Sequence, residues 1–224
     1  LPSLTQGQTA SITATVAGAG GYLQGWIDWN GDGDFADAGE QVATNIQDNL
    51  AGDTNNTAGT IAFNVAVPAD AVNTPTYARF RWSSTSNLGV ATAVIDGEVE
   101  DYNLVINALP VISSNGGSAT AALSVSENQT AVTTVTATDA DPSDVLSYSI
   151  TGGADAAKFA IDASTGVLIF ASAPDYETPS DAGANNVYDV QVTVSDGQGG
   201  SDVQDIAVTV TDVAENIAPV ISSN

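Results

Sequence analysis

The hexapeptide Pro-Val-Ile-Ser-Ser-Asn occurs at 110–115 and again at 219–224, so the chain repeats with a period of 109 residues. An asparagine stands at the same distance ahead of each copy, as Asn107 and Asn216. A period of that length is the size of one domain, and a second start within the chain restricts the fold to modules strung in series. The 224 residues then divide into a unit at 1–106, a unit at 107–216 and the start of a further repeat at 217–224. The chain reads as a fragment of something longer.

Local patterning sets the class of these modules. In the first unit, residues 10–16, 61–67, 77–82 and 102–106 alternate apolar with polar or are rich in β-branched side chains, as half-buried strands are. In the second, the same holds near 121–125, 132–138, 145–150, 167–170, 187–195 and 203–211. Clusters of Gly, Asn, Asp and Pro separate them, and no stretch has helical periodicity. The expectation is an all-β protein of two β-sandwich domains in tandem.

Charge narrows the function. Only Arg79, Arg81 and Lys158 oppose 27 acids, for a formal net charge of −24, yet 43% of the residues are hydrophobic, so the acidity does not signal disorder. Nucleic acid and anionic membrane are excluded as partners, because both require a basic surface. No apolar run is long enough to span a bilayer, and no signal peptide is present. The absence of Cys excludes disulfides and thiolate metal sites. With no His either, nucleophilic triads and most general-base schemes lack a participant. A carboxylate pair could in principle hydrolyse a glycoside, but among 27 acids some pair always looks suitable, so the chain reads as a non-enzyme. Salt adaptation would scatter the acids over the surface. Here many are clustered at short regular spacings, which points to bound cations.

The densest cluster is Asp28-Trp-Asn-Gly-Asp-Gly-Asp-Phe-Ala-Asp-Ala-Gly-Glu40. Calcium takes six to eight oxygens from carboxylates, amides and carbonyls. Asp28, Asn30, Asp32 and Gly33 follow the opening of an EF-hand loop in register. Asp34 takes the next alternate position, and Glu40 arrives one residue late. The flank Gly25-Trp-Ile27 reads as a strand and not a helix, so the expectation is an EF-hand-like calcium loop set between strands. The alternative is a plain acidic turn. Downstream, Asp96-Gly-Glu-Val-Glu-Asp-Tyr102 puts Glu98 and Glu100 on one strand face and Asp101 on the other.

Taken together, the Trp-Ile-Asp-Trp-Asn-Gly-Asp-Gly loop, Tyr77-Ala-Arg-Phe-Arg81 and Gly97-Glu-Val-Glu-Asp-Tyr102 resemble the GEVED domain of bacterial surface and secreted proteins. The resemblance covers residues 1 to 106 and implies an extracellular β-sandwich that binds calcium, with Glu98 and Asp101 among the metal residues. Arg79 and Arg81 share a strand face. Either they pair with Glu98 and Glu100 or other acids of the fold, or with a calcium they receive a carboxylate from a glycan or peptide.

The second unit resembles a cadherin repeat. The residues that carry this are Ser126-Glu-Asn128, Ala137-Thr-Asp-Ala-Asp141, Phe159-Ala-Ile-Asp-Ala-Ser-Thr-Gly166, Asp175-Tyr-Glu177, Val194-Ser-Asp-Gly197 and Asp212-Val-Ala-Glu-Asn-Ile-Ala-Pro219. In an extended chain i and i+2 point the same way, so Asp139 with Asp141, and Asp175 with Glu177, each present two carboxylates to one point. By the resemblance, Glu127, Asp175, Glu177, Asp212 and Glu215 hold calcium at the C-terminal junction. Asp139, Asp141, Asp196 and Asn107 hold it at the N-terminal one. Two departures are visible: Tyr176 replaces the family's arginine, and Glu215 stands where an aspartate is usual.

The function these resemblances imply is that of a calcium-dependent fragment of a large, repetitive, RTX-type bacterial adhesin, secreted or on the cell surface, as in biofilms. The cadherin-like repeat would act as a calcium-stiffened extender whose partners are calcium ions and neighbouring repeats of the same chain, in a monomer. Two other expectations stand beside it. The first unit could be a head that holds a host or surface glycan or peptide through calcium, or the pair could be accessory modules of a secreted hydrolase.

Overall fold

The computed structural model describes residues 1–17 and 20–215. The second hexapeptide and the expected segment 217–224 lie outside the described residues. The chain divides into two compact bodies, the first built on Leu1–Leu109 and the second on Pro110–Asp139, Asp144–Gly197 and the chain from Ser201. Both are β-sandwiches. No helix among the described residues is long and apolar enough to cross a membrane.

The first body contains β1 (Leu4–Thr5), β2 (Thr9–Thr15), β3 (Tyr22–Ile27), β4 (Gln41–Ile46), β5 (Thr60–Ala66), β6 (Thr76–Ser83), β7 (Glu98–Leu104) and β8 (Ile106–Asn107). One sheet runs β4-β3-β6-β7; facing it is a sheet of only two strands, β2-β5, while β1 pairs parallel with β8. Alternation sends Ile61, Phe63 and Val65 of β5 inward against Leu23, Ile27, Ala78 and Phe80, closing an apolar core with Ile12 and Ile106. The other face of β3 and β6 is not bare. Trp26 and Arg81 point there and are 3% and 5% exposed. The Arg81 guanidinium donates to the carbonyls of Gly89 and Thr92, both at 2.6 Å, which fixes the 84–97 segment.

The second body contains β9 (Val111–Ile112), β10 (Thr120–Ser126), β11 (Ala131–Thr134), β12 (Ala137–Thr138), β13 (Ser147–Gly152), β14 (Phe159–Ile161), β15 (Val167–Phe170), β16 (Val187–Ser195) and β17 (Ser201–Thr211). Its sheets are β10-β17-β16-β13 and β11-β15-β14, with β12 paired to β9. Tyr188, Val190, Val192 and Val194 alternate inward with Gln204, Ile206, Val208 and Val210, and the rings of Phe159, Phe170 and Tyr188 stack or meet edge-on beside them. The expected strand at 132–138 is in fact two. A bulge between Ala131 and Thr133 shifts the register on β15, and the chain passes to β9 two residues after fully buried Val135.

Candidate functional site

The loop between β3 and β4 carries the acidic cluster, and its carboxylates divide into two kinds. Asp28 and Glu40 are buried, at 2% and 1% exposed. Asp28 accepts the N–H groups of Gly31 at 2.7 Å and Gly33 at 3.0 Å, and both glycines have positive φ, which a side chain would strain. Glu40 accepts the N–H of Trp29 at 3.2 Å and of Asp37 at 3.1 Å. Burial pushes the Glu40 carboxyl above its usual range; the two N–H groups oppose this, and the charges of Asp28 and Asp37 add to it. These two acids set the loop's backbone.

The second kind is exposed. Asp32, Asp34 and Asp37 each offer a carboxylate oxygen within 4.8 Å of the others. The Asn30 amide reaches the same place, donating to Asp32 at 3.2 Å and to Asp37 at 2.6 Å. Three like charges this close repel unless a cation lies between them. Asp37 is the member that the EF-hand register does not pick out, because the chain turns through Asp34 and Ala36 before reaching it. Five of the expected residues, Asp28, Asn30, Asp32, Asp34 and Glu40, therefore lie in one loop, with two roles among them.

Asp101 and Arg79 line a hollow of about 210 Å³ together with Asp28, Gly33 and Phe35 of that loop. The Asp101 carboxylate is held by both arms of Arg79, each at 2.7 Å, and that partner keeps it below the usual carboxylate range. Glu98 is on the opposite face of β7, alongside Glu100 and Tyr102. Arg79 and Arg81 share one face of β6 and contact Asp101 and the carbonyls of Gly89, Val90 and Thr92.

In the second body, Glu127, Glu177 and Asp212 bring carboxylate oxygens within 4.8 Å of one another. They come from the residue after β10, from the loop near Asp175 and from the residue after β17. Glu127 is 1% exposed and accepts the N–H groups of Tyr176 at 2.9 Å and Val213 at 2.8 Å, which hold its carboxyl below the usual range. Glu177 moves the other way. Its own N–H favours the charge, but burial and the charges of Glu127, Asp212 and Glu215 outweigh this and raise its carboxyl. Asp175 accepts the Thr178 N–H at 3.1 Å and is not a member of the triple. On the loop after β12, Asp139, Asp141 and Asp144 form a third such group, of which Asp144 was not expected. Asn107 and Asp196 are buried, at 8% and 3% exposed. The donor sets are all oxygen, with no thiolate or imidazole, which suits a hard cation such as calcium.

The two sandwiches, each with a group of acids on its loops, can be named as domains. Residues 22–105 match the GEVED domain and residues 121–211 the cadherin domain, so the chain carries a GEVED domain followed by a cadherin domain. Cadherin domains are adhesion-type extracellular modules that bind calcium in general, and both domain types are typically non-catalytic. No curated protein matches the chain. Similar solved structures include mouse cadherin-23 EC22-24, at 18% identity and TM-score 0.39 over 86% of this chain and 53% of that one. Human protocadherin-24 EC1-2 matches at 28% and 0.34 over 46% of this chain and 44% of that one. Drosophila N-cadherin EC1-4 matches at 20% and 0.37 over 70% and 37%. The chain thus spans about half or less of each of these structures.

Proposed function

We propose that the chain is a calcium-dependent piece of a secreted or surface-attached bacterial adhesin, in which the cadherin domain is an extender stiffened by calcium. The observation that carries this is the meeting of Glu127, Glu177 and Asp212 from three separate segments, with Glu177 raised by the charges around it. A calcium ion there removes the repulsion and ties the end of β10, the 174–178 loop and the segment after β17 to one point. In the GEVED domain, Asp32, Asp34 and Asp37 are the exposed ligands, with Asn30 beside them, while Asp28 and Glu40 hold the loop in shape. The same calcium-binding role is proposed for Asn107, Asp139, Asp141, Asp175, Asp196 and Glu215.

Thermal unfolding with calcium and with chelator tests the proposal. A ligand that binds only the folded form at tenfold above its Kd adds about 1.4 kcal/mol per site, so calcium raises the midpoint. Superimposable curves in calcium and EDTA would sink it.

A second function rests on one further observation. Asp37 also walls a hollow of about 450 Å³ with Trp29, Asn30, Glu40 and Asp70. A cation on the Asp32 triple would border that hollow, where a glycan hydroxyl or peptide carboxylate could complete its coordination. Glycan and peptide arrays read with and without calcium separate this from the purely structural role.

A further inference from the structure

The outer face of β6 carries Tyr77, Arg79 and Arg81 at alternate positions. Register sets Trp26 of β3 on one side of Arg79 and Asp101 of β7 on the other. The 84–97 segment is tied to one end of this face, where Arg81 holds the carbonyls of Gly89 and Thr92 and is buried, as is Trp26. Arg79 reaches the Val90 carbonyl of that segment at 3.5 Å and keeps 28% of its side chain exposed. At the other end the face is open: 55% of the Asp101 side chain and 53% of Tyr77 are accessible.

This open end is concave. Tyr77, Arg79 and Asp101 line a hollow of about 210 Å³ with Asp28, Gly33 and Phe35 of the β3–β4 loop. Phe35 is half-buried, while its neighbours Asp34 and Ala36 are exposed. Two aromatic residues therefore border a polar centre, and that centre is internally neutralised. Both arms of Arg79 lie on Asp101, each at 2.7 Å, and the Asp28 carboxylate accepts from Gly31 and Gly33. A carboxylate entering the hollow would meet two acids and a guanidinium whose fork is taken, and a cation would meet Arg79. What the ion pair does offer is donors and acceptors side by side: further guanidinium N–H groups, and the remaining lone pairs of the Asp101 oxygens. Neighbouring hydroxyls of a sugar both donate and accept, and the C–H face of its ring packs on the electron-rich face of an aromatic side chain. The volume is below that of pockets for drug-sized ligands and suits a single ring.

We propose that this hollow binds one neutral sugar ring of a glycan, held by the Arg79–Asp101 pair and packed against Tyr77 and Phe35. The site is separate from the calcium-dependent one beside Asp37. None of its contacts passes through a metal, and Asp28 and Glu40 shape the loop through backbone N–H groups.

Amide NMR of the full chain in EDTA, titrated with cellotriose, maltotriose and mannotriose, tests this. At least one of these should shift Gly33, Phe35, Tyr77, Arg79 and Asp101 along a saturable curve, in chelator as in calcium. Tyr77→Ala removes an exposed ring and should weaken binding about tenfold, the scale of one well-packed ring contact, with the melting midpoint held. Asp101→Asn frees Arg79, so the neutral sugar should weaken while trigalacturonate, which leaves the parent unshifted, begins to bind. An exposed ion pair contributes little to stability, so this variant keeps its fold. Shifts confined to Trp29, Asp37 and Asp70 and present only with calcium would place the glycan in the other hollow and overturn the proposal. So would saturation of these amides in the parent by trigalacturonate or tetramethylammonium chloride, equal sugar affinity in Tyr77→Ala, or flat titrations with all three sugars.

Discussion

Replacing Asp28 and replacing Asp34 should have opposite consequences, though both were expected as ligands on spacing alone. Asp28 is 2% exposed, and its carboxylate holds the N–H groups of Gly31 and Gly33 at 2.7 and 3.0 Å. Hydrogen bonds to a charged group contribute about 1.5–3 kcal/mol each, and losing the acceptor strands both donors. Asp28→Ala should therefore cost about 3–5 kcal/mol in chelator. At about 4 °C per kcal/mol for a domain near this size, the GEVED midpoint falls by roughly 12–20 °C. Asp34 is exposed and accepts one N–H, that of Ala36 at 2.8 Å. Surface changes of this kind stay within about 0.5 kcal/mol, or about 2 °C. Asp34→Ala should thus melt like the parent in EDTA and lose the calcium increment. The assay is selective, because all three tryptophans, Trp26, Trp29 and Trp82, belong to the GEVED domain, so fluorescence excited in the indole band reports that domain alone. Equal losses for the two variants in EDTA, or an unchanged midpoint for Asp28→Ala, would refute the division of roles.

Three further outcomes are expected. The Asp162 carboxyl, bonded to the Ser164 hydroxyl and to the N–H groups of Thr165 and Ser164, titrates at about 2; its contribution is present above the unfolded-state value and is lost as pH falls through the folded one, which Asp162→Asn should flatten in acid melts. Glu177, raised without calcium, should fall on adding calcium in a carboxyl NMR titration, and an unmoved midpoint would place no cation beside it. Phe170→Ala removes a side chain 2% exposed that stacks on Phe159 at 4.7 Å and should cost about 3–5 kcal/mol by circular dichroism.

The period of the sequence and its alternation carry most of the fold. Long strands such as β16 and β17 are legible because Tyr188, Val190, Val192 and Val194 bury every second side chain. The bend between β11 and β12 is not, since a bulge leaves composition unchanged and only moves the register. The acidic loop is legible as a cluster but not in its division of labour. Burial decides that Asp28 and Glu40 bind backbone while Asp32 and Asp34 stay exposed. Asp37 and Asp144 join acid groups through turns that no fixed spacing encodes. Of the two arginines expected to pair with Glu98, Glu100 or other acids, Arg79 takes Asp101, because Glu98 and Glu100 occupy the other face of β7, and Arg81 instead takes the carbonyls of Gly89 and Thr92.

Direct calcium binding decides the central claim. Titration calorimetry on the full chain at physiological ionic strength should show saturable binding with Kd on the order of 10⁻⁴ to 10⁻³ M, the range of extracellular modules. Asp34→Ala should remove one component and Glu177→Gln another. Heats that stay linear through millimolar calcium, or stoichiometry unchanged in both variants, would contradict the account.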